Sequence, residues 1–169
     1  MAIAHFQFVG IAAAATAMLA APASAQAPVG PDAGSCRAGA GGSAILVNVK
    51  GFRKAQGFIR VQLHGTDAST WLKKPGYLKR IELPVTASVM PVCVRVPGPG
   101  RYGIAVRHDE DGDKKMTRHD GGGYSRNPRL SITKLSPKWD EASFAVGAGV
   151  TPIDVRMNYL YGLSIRPAG

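Results

Sequence analysis

Four aspartates and a histidine, close together, hold most of the chemistry this chain can offer. They lie in Arg101-Tyr-Gly-Ile-Ala-Val-Arg-His-Asp-Glu-Asp-Gly-Asp-Lys-Lys-Met116 and, just beyond it, Asp120. Asp109, Asp111 and Asp113 stand at every second position, and Asp120 is twelfth if Asp109 is counted first. That spacing is similar to the oxygen positions of an EF-hand loop, with a carbonyl near Lys115 as a further ligand. A hard cation such as calcium would be the guest. Three features oppose it: Lys114 stands where the loop needs glycine, no Glu occupies the twelfth place, and no helices flank the segment. The competing reading is an Asx-rich turn whose carboxylates accept hydrogen bonds from their own backbone. The second reading is favoured, with no required cofactor and at most weak calcium binding.

His108 precedes the first aspartate on a strand-like alternation of Tyr102, Ile104 and Val106. Its parity points it toward the end of a core. A loop carbonyl or carboxylate would satisfy it there, unless it serves as a base or ligand beside Asp109. Ser125, Ser131, Ser136 and Ser143 could pair with a histidine on paper, but none lies in a strained nucleophile turn. A metal-dependent or His/Asp-based hydrolase built on this loop is therefore the second reading, behind a binding role. The binding-loop candidates are His108, Tyr124, Arg126 and Asn127.

These residues need a frame, and the hydrophobic pattern supplies a β one. Residues 43–50 and 59–63 each alternate apolar and polar, with a glycine-bounded polar connection between them, and read as a hairpin with one buried face. Residues 79–85, 89–96, 101–108 and 153–161 repeat the pattern, and Pro84 and Pro91 mark edges or bulges. Residues 69–72 form at most a short helical turn. Trp71, Tyr77, Tyr124 and Trp139 fall between strands and read as caps over the open ends of a sandwich. The expected fold is all-β: a single antiparallel β-sandwich of about seven strands, immunoglobulin-like or transthyretin-like.

Residues 1–25 read as a signal peptide, with an apolar run ending in Ala23-Ser24-Ala25 before Gln26. The run is shorter than the roughly 20 residues that span a bilayer, so no transmembrane segment is expected after cleavage. Residues 26–42, rich in Gly, Ala and Pro, read as a flexible leader, and residues 43–165 as the sandwich domain. Cys36 and Cys93 are the two cysteines of the chain, and in an oxidising compartment they are most simply read as one disulfide. The formal charge of +10 lies wholly beyond residue 25. It favours an acidic envelope component as partner over nucleic acid. The basic residues are scattered, which suits a generally basic surface better than a dedicated anion patch.

Residues 98–161 resemble an exported bacterial family, the domain of unknown function 2141. The resemblance rests on Gly98-Pro-Gly-Arg-Tyr-Gly-Ile-Ala-Val-Arg-His-Asp, Glu110-Asp-Gly-Asp, Gly121-Gly-Gly-Tyr-Ser-Arg-Asn-Pro128 and Met157-Asn-Tyr159. It implies a β-sandwich and an exported location, and brings no activity. The family's turn leads us to expect a second glycine and a further aspartate where this chain has Lys114 and Thr117. The resulting expectation is a periplasmic or secreted, non-catalytic binding or accessory module of the cell envelope.

Overall fold

A computed structural model of the chain describes residues 26–168. The segment read as a signal peptide, residues 1–25, lies outside the described residues. Ten strands follow in order: β1 Ser43–Lys50, β2 Phe58–His64, β3 Tyr77–Pro84, β4 Val89–Val96, β5 Gly100–Asp109, β6 Gly121–Tyr124, β7 Phe144–Val146, β8 Gly149–Arg156, β9 Asn158–Tyr161 and β10 Ser164–Pro167. One four-residue helix, α1 (Trp139–Ala142), precedes β7. Among the described residues no helix is long and apolar enough to cross a membrane.

The strands form two sheets. The smaller has the order β4-β1-β8, and the larger runs β10-β9-β6-β5-β2-β3, with β7 added on β5. Alternation brings Ile45, Val47 and Val49 of β1 and Val92 and Val94 of β4 onto one face. They meet Ile59, Val61 and Leu63 of β2 and Ile104 and Val106 of β5 in one buried core. This is the all-β fold with two packed sheets that the alternation implies.

Three expectations about the strands are corrected. There are ten strands where about seven were expected, because the segment 153–161 breaks at Met157 into β8 and β9, and β7 and β10 are too short to show a period. The sheets are not wholly antiparallel, since β1 and β8 pair in parallel. The runs 43–50 and 59–63 do not form a hairpin: β1 pairs with β4 and β8, while β2 pairs with β3 and β5 in the opposite sheet. Alternation reports that one face is buried and does not report the neighbour. The connection from Gly51 to Gly57 crosses between sheets, and Phe52 drops from it onto the core.

The aromatics also sit elsewhere than expected. Trp71, Trp139 and Tyr124 do not cap the sandwich ends; they gather on the outer face of the large sheet, over Ala105. Gly103 permits this, since a Cβ there would lie 2.7 Å from Trp71 and 2.8 Å from Trp139. The Trp71 indole N–H donates to the Pro137 carbonyl at 2.9 Å. Tyr77 belongs to β3, where the Arg80 guanidinium lies 4.5 Å above its ring.

The prolines behave as their chemistry requires. Pro84 is in β3 and Pro91 in β4, and both strands are sheet edges. The leader covers the β4 edge: the Val29 N–H donates to Pro91 at 2.8 Å, and Val29 accepts from the Cys93 N–H at 3.1 Å. The Asp32 carboxylate accepts from the Arg95 N–H at 2.8 Å and from Lys79 Nζ at 2.7 Å. Cys36 and Cys93 are disulfide-bonded, with Cα atoms 5.9 Å apart. Cys93 faces away from the core, as its parity requires, yet it is buried because the leader lies over it.

Candidate functional site

Strand β5 sets the parity of the site. Ile104, Val106 and His108 face inward, and Arg107 and Asp109 face outward. His108 is fully buried. Its Nε2 lies 2.8 Å from the Gln56 carbonyl, which can only accept, so the hydrogen belongs on Nε2. In the neutral ring Nδ1 then accepts from the Tyr159 hydroxyl at 2.6 Å. The Tyr159 oxygen in turn accepts from the Arg53 N–H at 3.2 Å. Burial pushes the Tyr159 phenol up to about 12. Phe52 meets the imidazole edge-on at 5.1 Å. Both ring nitrogens are thus engaged away from solvent, with no nucleophile among their partners.

The acidic turn uses its carboxylates on its own backbone. Asp109 accepts from the N–H groups of Gly112 at 3.0 Å and Lys114 at 2.9 Å. Asp111 accepts from Asp113 N–H at 3.2 Å, and Asp113 accepts from Lys115 N–H at 2.7 Å. Gly112 and Lys114 both adopt left-handed backbone, φ +74° and +65°. For Lys114 this conformation is unfavourable, and the Asp109 hydrogen bond holds it.

Asp120 returns to the same place from the far side of the loop. Its carboxylate accepts from Glu110 N–H at 3.3 Å, Thr117 N–H at 2.9 Å and Arg107 at 3.0 Å. Asp109, Asp111 and Asp120 present oxygens that all lie within 4.8 Å of one another. Asp113, the fourth candidate, is not among them. Cations stand close by: Arg107 is 3.7 Å from Asp109 and 3.0 Å from Asp120. The buried Glu110 is paired with Arg53 at 2.8 Å and Lys54 at 3.3 Å.

Arg107 and Glu110 were not singled out from the sequence. The signal for Arg107 was its parity with Asp109 two positions on. Glu110 sits in an exposed-looking acidic run, and nothing local announces its burial.

The remaining candidates lie at the end of β6. The Tyr124 ring lies tilted at 6.1 Å from Trp71, and its hydroxyl donates to the Leu135 carbonyl at 3.3 Å. Burial pushes its phenol up, with a hydrogen bond to Ser136 opposing. Arg126 and Asn127 are consecutive left-handed residues, φ +64° and +48°. Arg126 donates to the Asp140 carbonyl at 2.6 Å. Asn127 uses its whole amide on β8, accepting from Arg156 N–H at 2.7 Å and donating to Asp154 O at 2.9 Å. Of the serines, Ser125 bonds the backbone of Ile104 and Ala142, and Ser143 accepts from Arg101. Neither is oriented as a nucleophile beside a histidine.

The family described as uncharacterized protein conserved in bacteria (DUF2141) matches residues 47–154. The chain belongs to DUF2141. The matched stretch begins within β1 and ends within β8, so it contains the acidic turn, His108 and Asn127. All of β9 and β10, including Tyr159, follows the DUF2141 match. No curated protein and no solved structure matches the chain.

Proposed function

We propose that this DUF2141 chain is an exported, non-catalytic binding or accessory module of the cell envelope, periplasmic or secreted. One observation carries the reading: the buried histidine of β5 and the aspartates of the acidic turn are engaged internally. His108 is held between Tyr159 and Gln56, and the aspartates order their own turn. A general base must reach a substrate proton, and an acid–base pair needs a cleft. The Cys36–Cys93 bond supports an oxidising compartment, where such pairs persist. The net charge of +10 supports an acidic envelope partner. No cofactor is needed, and calcium, if it binds the Asp109, Asp111 and Asp120 carboxylates, does so weakly.

Cell fractionation with intact-mass measurement tests the export half of this reading. The expected result is a chain beginning at Gln26 in the envelope or medium. A cytoplasmic chain retaining residues 1–25 overturns it. A thermal-shift screen with anionic glycans and anionic lipids tests the binding half, because a ligand of the native state raises the midpoint. Hydrolysis of esters or glycosides that is lost in His108→Gln would favour the enzyme instead.

A further inference from the structure

The outer face of the large sheet carries a hollow that borders the candidate residues Asp120, Tyr124 and Asn127. Inward-facing Tyr159 leaves Asn158 and Leu160 of β9 facing outward. Asn158 pairs with Gly122 of β6, and Leu160 pairs with Ile165 of β10. Gly122, Leu160 and Ile165, with Met116, Leu130 and Leu135 from the loops, line a cavity of about 150 Å³. Met116 and Leu135 are 67% and 61% exposed, a poor use of large apolar side chains unless something covers them.

Gly122 differs from its neighbours. A Cβ on Gly121 would lie 2.5 Å from the Tyr159 ring, and one on Gly123 would lie 2.8 Å from the Arg156 carbonyl, so the core requires both glycines. A Cβ on Gly122 would meet nothing within 4 Å, and its φ is one that other residues adopt. Glycine weakens a strand interior and often marks a place where a ligand approaches closely.

A second depression, of about 380 Å³, adjoins the first and shares Leu130, Asn158 and Ile165 with it. Arg129, Arg156 and Arg166 line it, with no carboxylate among the lining residues. None of the three arginines is in an ion pair among the described residues. An apolar pocket continuous with an arginine-lined one is complementary to an amphiphilic anion.

Resting on the reading of this chain as a binding module, we infer that the paired pockets take a small amphiphilic anion. Its apolar group lies on Gly122, and its carboxylate or phosphate faces Arg129, Arg156 and Arg166. The first cavity is about the size of one known to hold benzene, which sets the bulk of the apolar group. Guanidinium groups suit the anionic end, because they present paired donors to carboxylate or phosphate oxygens.

The test is calorimetric titration of the purified mature protein with phenyl phosphate, inorganic phosphate and benzyl alcohol. Phenyl phosphate should bind at least tenfold more tightly than either fragment. Gly122→Val should weaken phenyl phosphate at least tenfold and leave inorganic phosphate unchanged. Its thermal midpoint should equal or exceed that of the parent, since the added side chain has room and valine suits a strand. Arg129→Gln combined with Arg156→Gln should weaken phenyl phosphate and leave benzyl alcohol unchanged. A parallel arm with vesicles of anionic phospholipid asks whether a lipid supplies the anion: binding that Gly122→Val abolishes assigns a lipid source, and its absence assigns a soluble one. Equal affinity for all three small probes overturns the site, as does a lower midpoint for Gly122→Val, which would give the glycine a purely structural role. Fractionation, which tests the module reading, depends on none of these residues, so the two can fail separately.

Discussion

Asn127 is joined to Arg156 as one strand residue is joined to another, except that its partner groups belong to a side chain. The amide oxygen takes the Arg156 N–H and the amide nitrogen reaches the Asp154 carbonyl, two residues back. Strand β8 is an edge of the small sheet, and Asn127 occupies part of that edge from the large one.

Replacing Asn127 separates its two contributions. Asn127→Ala loses both hydrogen bonds and keeps an unfavourable φ of +48°, so it should cost about 1–2 kcal/mol. Asn127→Gly loses the same bonds and relieves the backbone, so it should be about 1 kcal/mol more stable than the alanine variant. Urea unfolding of the pair measures the difference. Equal stabilities would show that the left-handed conformation carries no strain.

The disulfide closes a loop across a sequence separation of 57 residues. Chain entropy alone makes this worth about 4 kcal/mol. Cys36→Ser with Cys93→Ser should therefore lower the thermal midpoint by roughly 10 °C. Thiol titration of the unreduced, denatured protein should find no free thiol, and two would contradict the bond.

At the alkaline end, Tyr159 sets a limit. Burial raises its phenol to about 12, against about 10 in an unfolded chain. The folded state thus favours the neutral form. Its contribution is complete below about pH 10 and is lost as pH rises through about 12. Absorbance of phenolate should show at least one of the five tyrosines ionising only with unfolding. Tyr159→Phe should flatten the loss of stability in that window. Tyr124, raised in the same direction, should leave part of it.

At the acid end the same logic runs through His64. It is 1% exposed, set edge-on to Trp71 at 4.8 Å, and neither ring nitrogen has a hydrogen-bond partner. Burial holds its pKa below 6.5, and the nearby Gly76 backbone opposes that only in part. The neutral form is favoured in the fold, so stability is full above about pH 6.5 and falls as pH drops through the lowered value. His64→Leu should be close to neutral at pH 7.5 and should flatten the decline between pH 6.5 and 5. A parent protein equally stable at both pH values would refute the assignment.

Within the acidic turn, position decides cost. Asp120→Ala removes the nearer carboxylate from Arg107 and the acceptor from two backbone N–H groups, and should cost about 3 kcal/mol. Asp111→Ala loses one exposed hydrogen bond and should change stability by less than about 1 kcal/mol. Calcium should bind with Kd of about 10⁻³ M or weaker, because the oxygens that would ligate it already hold N–H groups and Arg107. Micromolar affinity abolished by Asp111→Ala would show that a cation is the turn's intended guest.

Strand identity was legible in this chain because period-two alternation is local. Val47 and Val92 each announce a buried face within a few residues, and Pro84 and Pro91 announce edges. Pairing was not legible, since whether β1 sits beside β2 or β8 depends on contacts that no local pattern records. The site divides in the same way. The self-bonding of Asp109 and Asp113 follows from their spacing, as does the inward turn of His108. The clamp of Asn127 on β8, the burial of Glu110 and the hollow over Gly122 depend on elements far apart in sequence.

The parallel pairing of β1 with β8 has a consequence for how the chain reaches its native state. Asn48 and Asp154 are register partners 106 positions apart. A chain made from its N-terminus therefore holds β1, the central strand of the small sheet, without one of its two neighbours until nearly all of it has been synthesised. Ordering so distant a pair means closing a long loop before any contact rewards it, which makes folding slow on the scale of small domains. A protein that folds only once its last quarter is available stays threadable in the meantime. The export proposed for it, through a narrow secretory channel, requires that state.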